Sequence, residues 1–340
     1  MANQANHQQQ GLSLVELLVG MVLGLFLVLG VGEIFLANKT TFRSQEGMAR
    51  IQEGGRFAMQ RISEAVRSAG FFGCAGLSSV IPKVIASTPP AGLSSITTDT
   101  PIVGAEDVSA GTTIGSKSLV TGSDTITLRG TGVGGVSYTG DDVAPSQDIP
   151  VSATYSTFVE GDYVLVTDCS KADLFRATKD TAPTLVKHAL TSDGTTYNIS
   201  AELSQQYGKD TIVVKPYINT FFVADSGRDN YQGDDVMSLY QRGLNGSVQE
   251  LVEGVSDLQV LYGVSTDADD EPEGYLNASQ ISAANWSGVV SVRISLLVDS
   301  IDAALNKPAT YTFLGASVTP ADKRLRKEFT GLFVLRNRRP

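Results

Sequence analysis

Two cysteines, two histidines and one tryptophan in 340 residues leave little material for metal or nucleophile chemistry. The histidines are His7 and His188. No Ser/His/Asp or Cys/His set forms around either, and zinc has no ligand cluster. Charged residues are scarce at 18%, and the net charge of −10 excludes the basic footprint of a chain that binds nucleic acid as a whole. Lys and Arg are missing from the leader MANQANHQQQ, and the first basic residue is Lys39. Cys74 and Cys169 make an even count, which allows one disulfide outside the cytosol and two reduced thiols inside it.

The most informative stretch is Gly11–Ala37, GLSLVELLVGMVLGLFLVLGVGEIFLA. About 26 nearly continuous apolar residues make roughly 39 Å of helix, against a bilayer core of about 30 Å. Glu16 lies inside the run, where a carboxylate costs about 2.5–3.5 kcal/mol and marks a site by default. A glycine, Gly11, stands directly before the run. In a secretory signal the cleavage site follows the apolar region and removes it; here the helix would stay. Gly20 and Gly24 have the GxxxG spacing that lets membrane helices approach closely. Lys39, Arg43 and Arg50 follow the helix, so the positive-inside rule alone orients it the other way.

Beyond Ala37 the helical pattern continues into water. Met48, Ile51, Gly55, Met59, Ile62, Val66 and Ala69 form an amphipathic stripe, and the opposite face carries Arg43, Glu46, Arg50, Glu53, Arg56, Arg61, Glu64 and Arg67. Gly54-Gly55 marks a bend or a close contact, because glycine costs about 1 kcal/mol against Ala in a helix. Gly70 reads as the C-cap.

Residues 71–120 are rich in Ser, Thr, Gly, Pro and Ala and read as loops. Residues 121–340 carry strand-like runs at Asp124–Arg129, Asp162–Thr167, Thr211–Phe222, Val236–Gln241, Val248–Val252, Leu258–Val264, Val289–Val298 and Leu332–Leu335. Gly243–Gly246 reads as a hairpin turn. With little β-α-β alternation, the class is α+β: one long helix on a largely antiparallel sheet. Gly130–Gly135 matches GxGxxG in form, but no helix follows, so it reads as a glycine-rich hairpin and not a nucleotide site. Asp267, Asp269 and Glu271, in the loop Ser265–Glu273, are candidate calcium ligands, although the loop lacks a turn glycine and reads by default as a solvated acidic loop. The basic ending, Lys323, Arg324, Arg326, Lys327, Arg336, Arg338 and Arg339, reads as a solvated strand pair.

Gly11 before Leu12-Ser13-Leu14-Val15-Glu16 resembles the class III signal of type IV pilins and type II secretion pseudopilins. Gly55–Cys74, Gly161–Phe175, Ser238–Val264, Trp286–Ser300 and the ending FTGLFVLRNRRP resemble the PilW family of minor pilins. Leu12 departs from the Phe common at that place. The resemblance implies a leader 1–11, cleaved after Gly11 by prepilin peptidase, and N-methylation of Leu12. It also implies a membrane half 12–37, a soluble half 38–70 and a pilin-like fold, with Glu16 an assembly residue. By the same resemblance the chain is not an enzyme. It would join other minor pilins, the major pilin and the inner-membrane assembly platform, with a tip adhesin as a further partner and no nucleic acid. The expected role is priming the fibre near its tip, in support of adhesion and twitching motility. A J-type pseudopilin shares signal and fold; a membrane-tethered binding or hydrolytic ectodomain would keep its leader. Cys74 and Cys169 are expected to form one disulfide.

Overall fold

The computed structural model describes residues 13–73, 82–90, 93, 101–131, 136–137, 142–152, 158–168, 170–179, 184–267 and 271–337. One helix, α1 (Leu14–Ser68), runs through both the apolar and the amphipathic stretches. Ser13 caps it, its Oγ accepting from the Glu16 N–H at 3.2 Å. Ile51, Gly55, Ala58, Ile62 and Val66 are buried along one stripe. Gly54-Gly55 interrupts nothing in α1: a Cβ on Gly55 would stand 2.3 Å from the Phe329 ring, so the glycine is there for close packing. At the far end Ala69 is the C-cap and Gly70 takes the left-handed conformation at φ +80°. The Gly70 N–H donates to the Arg129 carbonyl at 2.9 Å and not back into the helix, and Ala69 bridges Gly130.

The main strands are β1 (Ile102–Ala105), β2 (Thr125–Thr131), β3 (Tyr163–Thr167), β4 (Ala172–Arg176), β5 (Ile212–Val214), β6 (Pro216–Asp229), β7 (Asp235–Arg242), β8 (Val248–Glu253), β9 (Val255–Val264), β10 (Gly274–Leu276), β11 (Val289–Asp299) and β12 (Arg326–Val334). They make three sheets. The first has the order β8-β7-β6-β2-β1, the second β10-β9-β11-β12, and both are antiparallel throughout. A third sheet lies in an insertion, with the order Lys83–Val84, β4, β3, β5, Val136–Ser137; the Lys83–Val84 edge pairs parallel to β4.

The first two sheets share one core with the helix, in which Ile51, Ala58, Ile62 and Val66 meet Phe221, Leu239, Leu258, Ile294 and Leu296. Asp124 pins the seam between these sheets. Its Oδ1 accepts from the Asp107 N–H (2.9 Å), its Oδ2 accepts from the Val260 N–H (2.8 Å), and its own N–H donates to the Leu258 carbonyl (2.7 Å). Burial pushes its carboxyl up to about 6 despite the two N–H donors, which pull the other way.

The insertion has its own core of Val164, Val166, Phe175, Val186, Tyr207 and Val213, with no helix residue in it. Its buried polar groups are largely satisfied from within. Asp173 Oδ2 accepts from the Ser204 N–H, the Ser204 hydroxyl and the Tyr207 hydroxyl. His188, 2% exposed, packs edge-on to Phe175 and places Nε2 2.9 Å from the Gln147 carbonyl.

Several expectations change in detail. The run Thr211–Phe222 is two strands in two different sheets, β5 and β6, parted at Lys215. Gly130-Thr131 and Val136-Ser137 do not form a hairpin: the former close β2 and the latter pair with Ile212-Val213, so the described flanks of the glycine-rich segment belong to different sheets. The stretch 71–120 holds β1 and a short hairpin, Thr113–Ile114 with Lys117–Ser118. The last strand is longer than Leu332–Leu335 because charged residues open it. Arg326 reaches Asp299 at 3.2 Å and Asp322 at 2.6 Å, which allows a basic residue to begin a packed strand. Gly243–Ser247 does make the expected turn, with Gly246 at φ +81°.

Candidate assembly site

Gly11, Leu12, Cys74, Cys169 and Asp269 lie outside the described residues, as do Arg338 and Arg339. Glu16 is described. It sits in the first turn of α1, where the free N–H groups and the helix dipole favour a carboxylate. Its side chain is exposed, and no described residue covers the apolar surface around it: Leu14 is 77% exposed and Leu36 64%. A Cβ added at Gly20 or Gly24 would meet nothing within 4 Å, so the GxxxG face is open. A helix from another molecule can approach there.

The apolar surface ends where the sheet domain begins. Thr40 Oγ1 lies 3.0 Å from the Leu36 carbonyl and 3.3 Å from the Asn306 side-chain amide, and this is the domain's first contact with the helix in chain order among the hydrogen bonds of the described residues. Above it a cleft of about 800 Å³ separates Arg43, Glu46 and Arg50 on the helix from Tyr231, Gln232 and Asp302 on the domain. Glu46 and Arg50 pair at 2.7 Å. Sequence reading missed both the Thr40–Asn306 contact and the Phe329–Gly55 contact; only Gly54-Gly55 hinted at the second.

Of the acidic loop, Asp267 and Glu271 are described, and the Glu273 carboxylate is occupied by the Thr266 N–H (2.9 and 3.0 Å) and hydroxyl. Among the described residues no group of three or more His, Cys, Asp or Glu is placed to hold a metal ion. The basic ending is partly built in: Arg324 and Arg326 face Asp299 and Asp322, and Arg326 holds the Asp322 carboxyl well below its usual range.

An exposed apolar helix with a carboxylate in its first turn, continuing into a face packed on antiparallel sheets, is consistent with a pilin-like fold. Residues 6–32 match the prokaryotic N-terminal methylation motif. Residues 220–337 match the family model described as type IV pilus-assembly protein W. Together the two matches support a PilW-like type IV minor pilin. Searches of curated proteins and of solved structures return no match.

Proposed function

We propose that the protein is a non-enzymatic minor pilin that helps prime type IV pilus assembly and sits at or near the fibre tip, in support of adhesion and twitching motility. Before assembly it is anchored in the inner membrane with its sheet domain in the periplasm; afterwards it is part of the fibre. The observation that carries this reading is the pairing of an open Gly20/Gly24 helix face with a bulky insertion that has a core of its own. The helix can join a lattice below, whereas the insertion would crowd a regular shaft.

In this reading prepilin peptidase cuts between Gly11 and Leu12, the Leu12 amine is methylated, and Cys74 and Cys169 form a disulfide. Glu16 pairs with the N-terminal amine of a neighbouring subunit, because an unpaired carboxylate in lipid is costly. Intact mass of the membrane-extracted protein reads leader loss, methylation and the two hydrogens lost to a disulfide together.

Quantitative mass spectrometry of sheared fibres tests the tip position. The chain is expected far below the major pilin, and its deletion should leave few or no surface pili. Near-equal amounts would make it a shaft subunit. Glu16→Ala should insert in the membrane but enter fibres poorly; unchanged entry would remove the pairing role.

A further inference from the structure

We propose that the base of the sheet domain docks on the phosphate headgroups of anionic phospholipids, in the leaflet from which α1 emerges. The inference rests on the reading of residues 12–37 as the membrane half.

Height is the first observation. The apolar run ends at Ala37, and Thr40 is three residues on, about 4.5 Å along the helix. The headgroup layer on each side of a bilayer core is about 5–7 Å deep. Thr40 touches Asn306, so the loop around Asn306 and Lys307 is held at headgroup level.

Charge is the second. Lys39 and Arg43 flank Thr40 along the helix and Lys307 follows Asn306 in the loop; all three are exposed and none is in an ion pair among the described residues. Arg43 is one turn higher, but helical side chains lean toward the N-terminus, which carries its guanidinium back to the membrane. The neighbouring carboxylates are accounted for. Glu46 is held by Arg50 at 2.7 Å, and Asp302 Oδ1 accepts from the Tyr231 N–H at 3.0 Å. In the same cleft Glu253 pairs with Arg228 and Asp299 with Arg326, and Glu33 is exposed one turn below Ala37. Aromatic residues flank the patch, with Phe42 66% exposed and Tyr231 93% exposed at the rim of the cleft.

The pattern fits lipid phosphate better than an acidic protein. The cations lie just beyond the uncovered apolar surface of the helix, and lipid phosphate is what surrounds such a helix at that height. The chain as a whole is repelled by an anionic surface at net −10, so a local basic base orients the domain upright on the bilayer. It also explains why Lys39 and Arg43 stand on the side that the positive-inside rule disfavours.

The test uses the mature full-length chain in vesicles of phosphatidylcholine alone, or with about 30% phosphatidylglycerol. Co-flotation with both vesicles reports anchoring, and hydrogen exchange reports the base. Peptides covering 302–308 should exchange more slowly with phosphatidylglycerol. The difference should vanish in Lys39→Gln/Arg43→Gln/Lys307→Gln and in about 0.5 M salt, with the thermal midpoint unchanged. Flotation with equal exchange in both lipids, or a difference that survives the triple substitution, overturns the docking surface alone. Protection that follows protein density and not phosphatidylglycerol assigns the base to a second subunit and also overturns it. Failure to float with either vesicle overturns the anchoring reading and the proposal with it.

Discussion

The two β parts of the molecule solve the same problem in opposite ways. The first two sheets bury their inner faces against α1, and Ile62 and Val66 sit in the same cluster as Phe221 and Ile294. The inserted sheet closes on its own side chains, with Phe175, Val186 and Tyr207 under it. The family match begins at residue 220, after the insertion, and ends at 337. The part that carries the matched sequence is the part that carries the helix. Packing on α1 constrains which residues stand where, as at Gly55, where only a glycine leaves room for Phe329. The insertion is under no such constraint from the helix.

The sharpest way to break this comparison is to empty each core in turn. Ile62→Ala and Phe175→Ala both remove fully buried side chains, at an expected cost of about 2–5 kcal/mol each. They should differ in reach. Ile62→Ala should lower hydrogen-exchange protection across α1 residues 51–66, β6 and β11, whereas Phe175→Ala should release β3, β4 and β5 and leave the helix core protected. Equal loss everywhere in both would mean one cooperative unit and end the comparison.

A smaller effect concerns the seam. The Asp124 carboxyl is raised to about 6 by burial, from an ordinary 3.8. Its folded value is the higher one, so its contribution is fully present below about pH 4 and is lost as pH rises through 6. The expected loss is about 2–3 kcal/mol. Asp322, held low by Arg326, works in the opposite direction, and its contribution is lost as pH falls. The measurement is therefore a difference: urea midpoints of the parent and of Asp124→Asn between pH 4 and 7. The parent should lose more stability over that range than the variant, and parallel profiles would refute the assignment. The smallest effect is at the end of α1, where the Tyr217 hydroxyl lies 2.7 Å from Ser68 Oγ. Tyr217→Phe should cost about 0.5–1.5 kcal/mol by urea melting, and the loss should be confined to the helix-bearing part.

The helix was legible because its signals are local. The stripe from Ile51 to Val66 has one period, and Gly54-Gly55 announces a close contact without naming Phe329. Strand existence was legible for the same reason, since Val289–Val298 and Leu258–Val264 are long apolar runs. What escaped was the partition into sheets. A run such as Thr211–Phe222 looks continuous, yet Lys215 divides it between two cores, and nothing in its composition says so. Arg326–Glu328 hid the start of β12 because the acids that receive Arg326, Asp299 and Asp322, are only brought together by the fold. The place of Glu16 in the first turn of α1 was legible from its position in the apolar run, and its side chain has no partner among the described residues.

The insertion leaves and returns through strands that are paired to each other. Thr131 ends β2 directly opposite Pro216, which begins β6. Residues matched across an antiparallel pair stand about 4.5–5.5 Å apart. Seen as a construction problem, the strand pair is a port: whatever fills residues 132–215 need only present two chain ends at that spacing, and the register of β2 against β6 is untouched by its length or sequence. Such a port lets the inserted module be exchanged while the helix and its sheets are kept. The Lys83–Val84 edge and the side chains of Phe72 and Leu93, which shelter against the insertion's strands, are the attachments that an exchanged module would have to replace.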